Sequence, residues 1–184
     1  KVVIGYHGSI THDYDLAMIL PVIDSLIDKY PDLYMELIGS VRKDSINKLF
    51  ANVKNKMHFK LKAGTPAFDK FPELLMEQRW DIGVAPLIDD VFNRGKSHIK
   101  YMEYAMKSIP TVASDVYPYT HNAKHAELCK NQAEWRQKLE KLIIDKQYRR
   151  ELGRKAKEHV VTNLQYKDHG YEWIEALNSV IENQ

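Results

Sequence analysis

Between Asn93 and Lys107 the sequence NRGKSHIKYMEYAMK gathers three cations, Arg94, Lys96 and Lys100, and one carboxylate, Glu103, around the start of a helical pattern. Gly95, Ser97 and His98 bring flexible backbone and a hydroxyl to the same point. Free N–H groups and the positive end of the helix dipole favour phosphate at such a helix mouth. On a helical projection Ile99, Met102, Ala105 and Met106 form the expected core stripe, with Lys96, Lys100, Glu103 and Lys107 beside it. A carboxylate at the margin of a buried face needs partners, because desolvating it alone is costly. Two readings compete. Glu103 and Lys107 have the i,i+4 spacing of a surface pair, stabilising by about 0.2–0.5 kcal/mol. Alternatively, the lysines and helix amides hold a diphosphate, while Glu103 accepts hydrogen bonds from a vicinal diol such as ribose.

Two further loops carry residues suited to the same ligand. YHGSITHDYD offers Gly8 for close backbone approach and Ser9, Thr11 and Asp13 as small hydrogen-bonding groups before a helix. The plainer reading is a glycine turn with Thr11 or Asp13 as N-cap. Asp13-Tyr14-Asp15 has the metal-holding DxD spacing, but aspartates are expected at a helix start, and we read them as capping. KAGTPAF, with Gly64 and Pro66, makes a tight loop whose backbone could read a flat ring. Neither a GxGxxG fingerprint nor a Walker loop is present. His121 and His125 are four apart with no third ligand nearby, which reads as two surface histidines. Trp135, Tyr171 and Trp173 read as packing anchors.

These loops fall between short apolar runs that alternate with helical patterns. Strands are expected at Val2–His7, Leu33–Ile38, Met57–Leu61, Trp80–Pro86, Ile109–Ala113 and Ala126–Cys129. Helices are expected at Asp15–Tyr30, Lys43–Asn52 and Asp69–Gln78, after His98, and at Gln132–Asp145, Gln147–Thr162 and Tyr166–Glu182. The alternation implies βαβ units: an α/β, Rossmann-like parallel sheet of about six strands, helices on both faces, and a helical C-terminal tail. Ligands of such sheets bind outside the carboxyl ends of the strands, where strand order reverses. No linker divides the chain, so residues 1–184 read as one domain.

Composition narrows the classes. A net charge of +2 over 184 residues argues against nucleic acid or an anionic membrane as partner, so any basic site is local. No apolar run reaches the roughly 20 residues of a membrane helix. A single cysteine, Cys129, fits a reducing compartment. The chain enters its first strand directly from Lys1, which reads as a piece of something longer.

IGYHGSITHDYDL, WDIGVAPL, FNRGKSHIKYMEYAMKSIPTVASD and YRRELGRKAKEHV together resemble the C-terminal, donor-binding domain of GT-B glycosyltransferases. The large retaining group of bacterial polysaccharide and glycoconjugate synthesis is the most similar in these motifs. The resemblance spans nearly the whole chain. It implies a nucleotide-diphosphate sugar as substrate, no cofactor, no metal, and an acceptor held by an N-terminal domain of the same protein. Such a protein would be cytoplasmic, or peripheral to the inner face of a membrane. It also implies that Glu103 grips the donor ribose, and that Gly95, Lys96, Ser97 and His98 meet the diphosphate, covered by Gly8 and Ser9. Lys62, Ala63, Gly64, Thr65 and Pro66 would lie by the base. Many members carry an arginine and a lysine after the first strand. Here Ser9, His12 and Asp13 stand there, with Arg94 and Lys96 as substitutes. Where the family often has a second glutamate, eight positions before the first, this chain has Gly95, so no catalytic residue is assigned. A sugar-nucleotide 2-epimerase shares the fold, and a non-catalytic nucleotide-binding module is the reading from another class.

Overall fold

A computed structural model describes residues 1–8, 12–39, 48–63 and 68–182. Its six strands are β1 (Val2–Gly8), β2 (Leu33–Gly39), β3 (Phe59–Ala63), β4 (Ile82–Ala85), β5 (Thr111–Ser114) and β6 (Ala126–Cys129). They form one parallel sheet in the order β3-β2-β1-β4-β5-β6. Strand order therefore reverses between β1 and β4, which puts the crevice of a doubly wound sheet beyond Gly8 and Ala85. The helices are α1 (Asp13–Lys29), α2 (Phe71–Glu77), α3 (Val91–Arg94), α4 (Ile99–Met106), α5 (Tyr119–Asn122), α6 (Gln132–Ile144), α7 (Lys146–Asn163) and α8 (Tyr166–Glu182). Ser9, Gly64, Thr65 and Pro66, and residues 43–47 of the expected helix Lys43–Asn52, lie outside the described residues.

Side-chain alternation along β1 builds the two sides. Ile4 and Tyr6 enter one core with Leu16, Ile19 and Ile23 of α1 and Trp135, Leu139 and Leu142 of α6. Val3 enters the other with Trp80, Tyr101, Tyr104 and Ala105, and with Ala156 and Val160 of α7. Gly5 and Gly83 form the floor of this second side. A Cβ on Gly5 would lie 1.8 Å from the Trp80 ring, and one on Gly83 would lie 2.4 Å from the Tyr104 ring. Two flat rings can thus lie directly on the sheet beside His7.

That floor explains a departure from the sequence pattern. The buried face of α4 is Lys100, Tyr101, Tyr104 and Ala105, while Ile99 and Met106 are exposed. The stripe expected at Ile99, Met102, Ala105 and Met106 is turned because the glycine floor accepts Tyr104, whose hydroxyl donates to Val84 O at 3.1 Å. In the tail Trp135 is buried, but Tyr171 and Trp173 are 57% and 69% exposed and do not anchor α8. Their spacing gave an apolar face, but among the described residues no second layer covers it.

Candidate functional site

Helix α4 starts at the carboxyl edge of the sheet and carries Lys100 and Glu103 back along it. Glu103 does not pair with Lys107. Its Oε2 lies 3.0 Å from His7 Nε2, near the carboxyl end of β1, with side chains 24% and 8% exposed. Lys107 turns the other way and donates to Leu75 O (2.8 Å), Met76 O (2.9 Å) and Gln78 O at the C-terminus of α2. The i,i+4 reading fails because each side chain is turned toward another element, Glu103 to His7 on β1 and Lys107 to the end of α2.

The loop after β1 supplies the other half of the site. His12 precedes α1, with Nδ1 2.8 Å from Asp15 Oδ2 and 3.2 Å from Lys96 Nζ, and Nε2 3.3 Å from Lys100 Nζ. One neutral tautomer suits both strong neighbours: Nδ1–H donates to Asp15, and the Nε2 lone pair accepts from Lys100. Burial lowers the His12 pKa, the Asp15 bond opposes this, and the two lysines lower it further, so the imidazole is neutral. Lys100 is pushed down to about 8, first by burial and then by Lys96. Asp15 also meets this cluster, 3.6 Å from Lys96. Burial alone would raise its pKa, but His12, the Ile88 amide and Lys96 outweigh that and hold it down.

Asp15 was read as half of a capping pair. Instead its Oδ1 accepts from Ile88 N (2.8 Å) and Asn93 Nδ2 (2.9 Å), tying the β1–α1 loop to the loop after β4. The N-cap position is His12, whose side chain makes no capping bond, so Asp13 is the first helical residue. Asp90 caps α3 by accepting from Asn93 N, and Asp89 pairs with Arg94 through two bonds of 2.6 and 3.0 Å. Among the described residues no group of three His, Cys, Asp or Glu is placed to hold a metal ion.

The remaining sequence assignments divide. Lys96 converges on the cluster. Arg94 does not, since its exposed guanidinium is engaged by Asp89. The amides of Gly95 and Lys96 donate to Phe92 O and Asn93 O, so Ser97 and His98 are left to supply amides at the mouth of α4. The Ser97 side chain is exposed, and His98 Nε2 is enclosed with no hydrogen-bond partner among the described residues. Gly8 lies at the β1 end against Gly39, with the buried Tyr6 hydroxyl 2.5 Å from where its Cβ would stand. At Gly95 an added Cβ would meet Phe92 O at 3.4 Å, an ordinary contact, so a Cβ is tolerated there among the described residues. Lys62 donates to Gln78 Oε1 and lies 3.9 Å from Glu36, and Ala63 closes β3. His125 faces the His159 ring at 5.7 Å while His121 stands by Tyr117, so those two histidines do not converge. His7 was missed as a ligand-edge group, and His12, named after the first strand, was not foreseen as the partner of Lys96 and Lys100. The signal available for His7 was its position at the end of the first strand.

No family model and no curated protein sequence matches this chain. Solved structures do match in fold. The C-terminal domain of a glycosyl transferase group 1 family protein, LpcC, from Francisella tularensis superposes with a TM-score of 0.71 at 18% identity, covering 90% of this chain and 87% of that one. Staphylococcus aureus TarM gives 0.73 at 17%, covering 94% of this chain but 34% of TarM. A UDP-forming trehalose-phosphate synthase from Burkholderia xenovorans gives 0.73 at 10%, covering 98% of this chain and 45% of its own. The chain thus spans between a third and a half of those two longer proteins. Its fold is that of the C-terminal domain of GT-B glycosyltransferases.

Proposed function

We propose that the chain is the donor-binding domain of a glycosyltransferase and holds a nucleotide-diphosphate sugar along the carboxyl edge between β1 and β4. The observation that carries this reading is the convergence of Lys96, Lys100 and His12 beside Asp15, one turn from Glu103. Two ammonium groups crowded on one imidazole favour an incoming dianion. The Ser97 and His98 amides would complete the phosphate contacts. Glu103 would accept the ribose hydroxyls, and the loop beginning at Lys62 and Ala63 would border the base. Departure of the nucleoside diphosphate would be stabilised by Lys96 and Lys100 with no bound metal. The fold neighbours support the donor class: TarM was solved with UDP, and the Burkholderia enzyme is UDP-forming. The acceptor, a growing glycan of bacterial type receiving a hexosyl unit, would be held by an N-terminal domain of the same protein.

Calorimetric titration with UDP, GDP and ADP in EDTA tests this reading. At least one should bind, and Glu103→Gln should weaken it by roughly 1.5–3 kcal/mol, the scale of a charge-assisted hydrogen bond. Pyrophosphate should bind parent and variant alike. Equal affinity of both proteins for all three nucleotides would leave Glu103 with no part in ribose binding.

A further inference from the structure

A glutamate on a helix has three rotatable bonds, so accepting two hydroxyls in fixed directions requires something to hold it. His7 is built to do so. Its backbone is locked in β1 opposite Ile38. Its ring is held by Phe71 at 5.1 Å, by Tyr104 edge-on at 5.1 Å, and by Trp80 stacked at 6.5 Å. His7 Nε2 and Glu103 Oε2 approach to 3.0 Å, outside regular hydrogen-bond alignment, and no described group hydrogen-bonds either atom, so the two enclosed polar atoms are left facing each other. Both atoms are enclosed, whereas the Glu103 side chain as a whole is 24% exposed, so its exposure lies on the rest of the group. A lysine here would hold the carboxylate by cancelling its charge. A neutral imidazole directs one oxygen and leaves the negative charge for the ligand.

We propose that His7 is the positioning residue of this site: its enclosed Nε2 holds one oxygen of Glu103 and so aims the other at the vicinal hydroxyls of a ribose. Burial keeps His7 neutral, its pKa lowered although Glu103 opposes the shift, which makes Nε2–H an uncharged donor. The inference rests on the donor-site reading, and the test separates the two.

The test titrates UDP, GDP and ADP, their 2′,3′-dideoxy analogues, and pyrophosphate against the parent, Glu103→Gln, His7→Phe and His7→Gln. Phenylalanine keeps a ring among the three aromatics but has no donor, and glutamine restores an N–H near the same place. His7→Phe should weaken the ribonucleotide about tenfold and erase the preference over its dideoxy analogue, the loss of one hydrogen bond to a charged group. Pyrophosphate should be unaffected, and His7→Gln should recover most of the preference. A His7→Phe protein that keeps the parent's preference, while Glu103→Gln loses it, overturns the role of His7 and leaves the donor reading standing. Equal weakening of nucleotide and pyrophosphate by His7→Phe would show a general structural effect and also overturns it. Failure of the parent to bind any of the nucleotides removes the donor reading itself, and the role of His7 with it.

Discussion

At the residue scale, the buried Lys100 would couple the proposed anion site to pH. Its pKa of about 8, against an ordinary 10.5, means that the unfolded chain binds more protons than the folded one between those values. Stability from this group therefore rises with pH across that window, because the cost of a buried, crowded charge is relieved as the proton leaves. Anion binding runs the opposite way, since a phosphate favours the charged form. Pyrophosphate affinity should fall as pH rises through about 8, with proton uptake seen as a dependence of the calorimetric heat on buffer ionisation. Lys100→Met should abolish the slope, weaken pyrophosphate, and raise the thermal midpoint of the free domain at neutral pH. A flat pH profile in the parent would remove Lys100 from the anion site. None of this could be read from the sequence, which placed Lys100 beside the helix stripe rather than under it.

At the scale of elements, α4 joins two parts of the structure. Its first turn and Glu103 serve the carboxyl edge, while Lys107, just past its end, holds the last carbonyls of α2. Three acceptors at a helix C-terminus meet one ammonium, the arrangement that best matches the negative end of a helix dipole. Lys107→Met should therefore lower stability by about 1–2 kcal/mol in urea unfolding, more than a surface pair would give, and leave nucleotide affinity unchanged. The elements themselves were legible. Strand positions, the order of the longer described helices and the loop after β4 follow from apolar periodicity and from Gly83 inside a strand, whereas the single turns α3 and α5 were not expected. The rotation of α4 was not, because it depends on ring-sized space over Gly5 and Gly83 that exists only once the strands are paired.

Over the whole molecule, one sheet edge carries His7, His12, Lys96, Lys100 and Glu103, while α8 presents Tyr171, Trp173, Ile174, Leu177, Val180 and Ile181 uncovered. If the acceptor is held elsewhere in the protein, as proposed, this chain alone should bind donor nucleotide yet transfer no sugar to a glycan acceptor. Radiolabelled transfer by the purified chain would refute that. The sequence by itself determined the parallel sheet, the edge at which a ligand would sit, and Glu103 and Lys96 as groups at that edge, because periodicity and loop chemistry are local properties of the chain. Tertiary structure alone decided the partners. His12 meets Lys96 and Lys100 from 84 and 88 residues away, and His7 meets Glu103 over one face of the sheet. Lys107 went to α2 for the same reason: a side chain takes the best partner within reach, and only folding brought that partner within reach, whereas Arg94 took Asp89 five residues away.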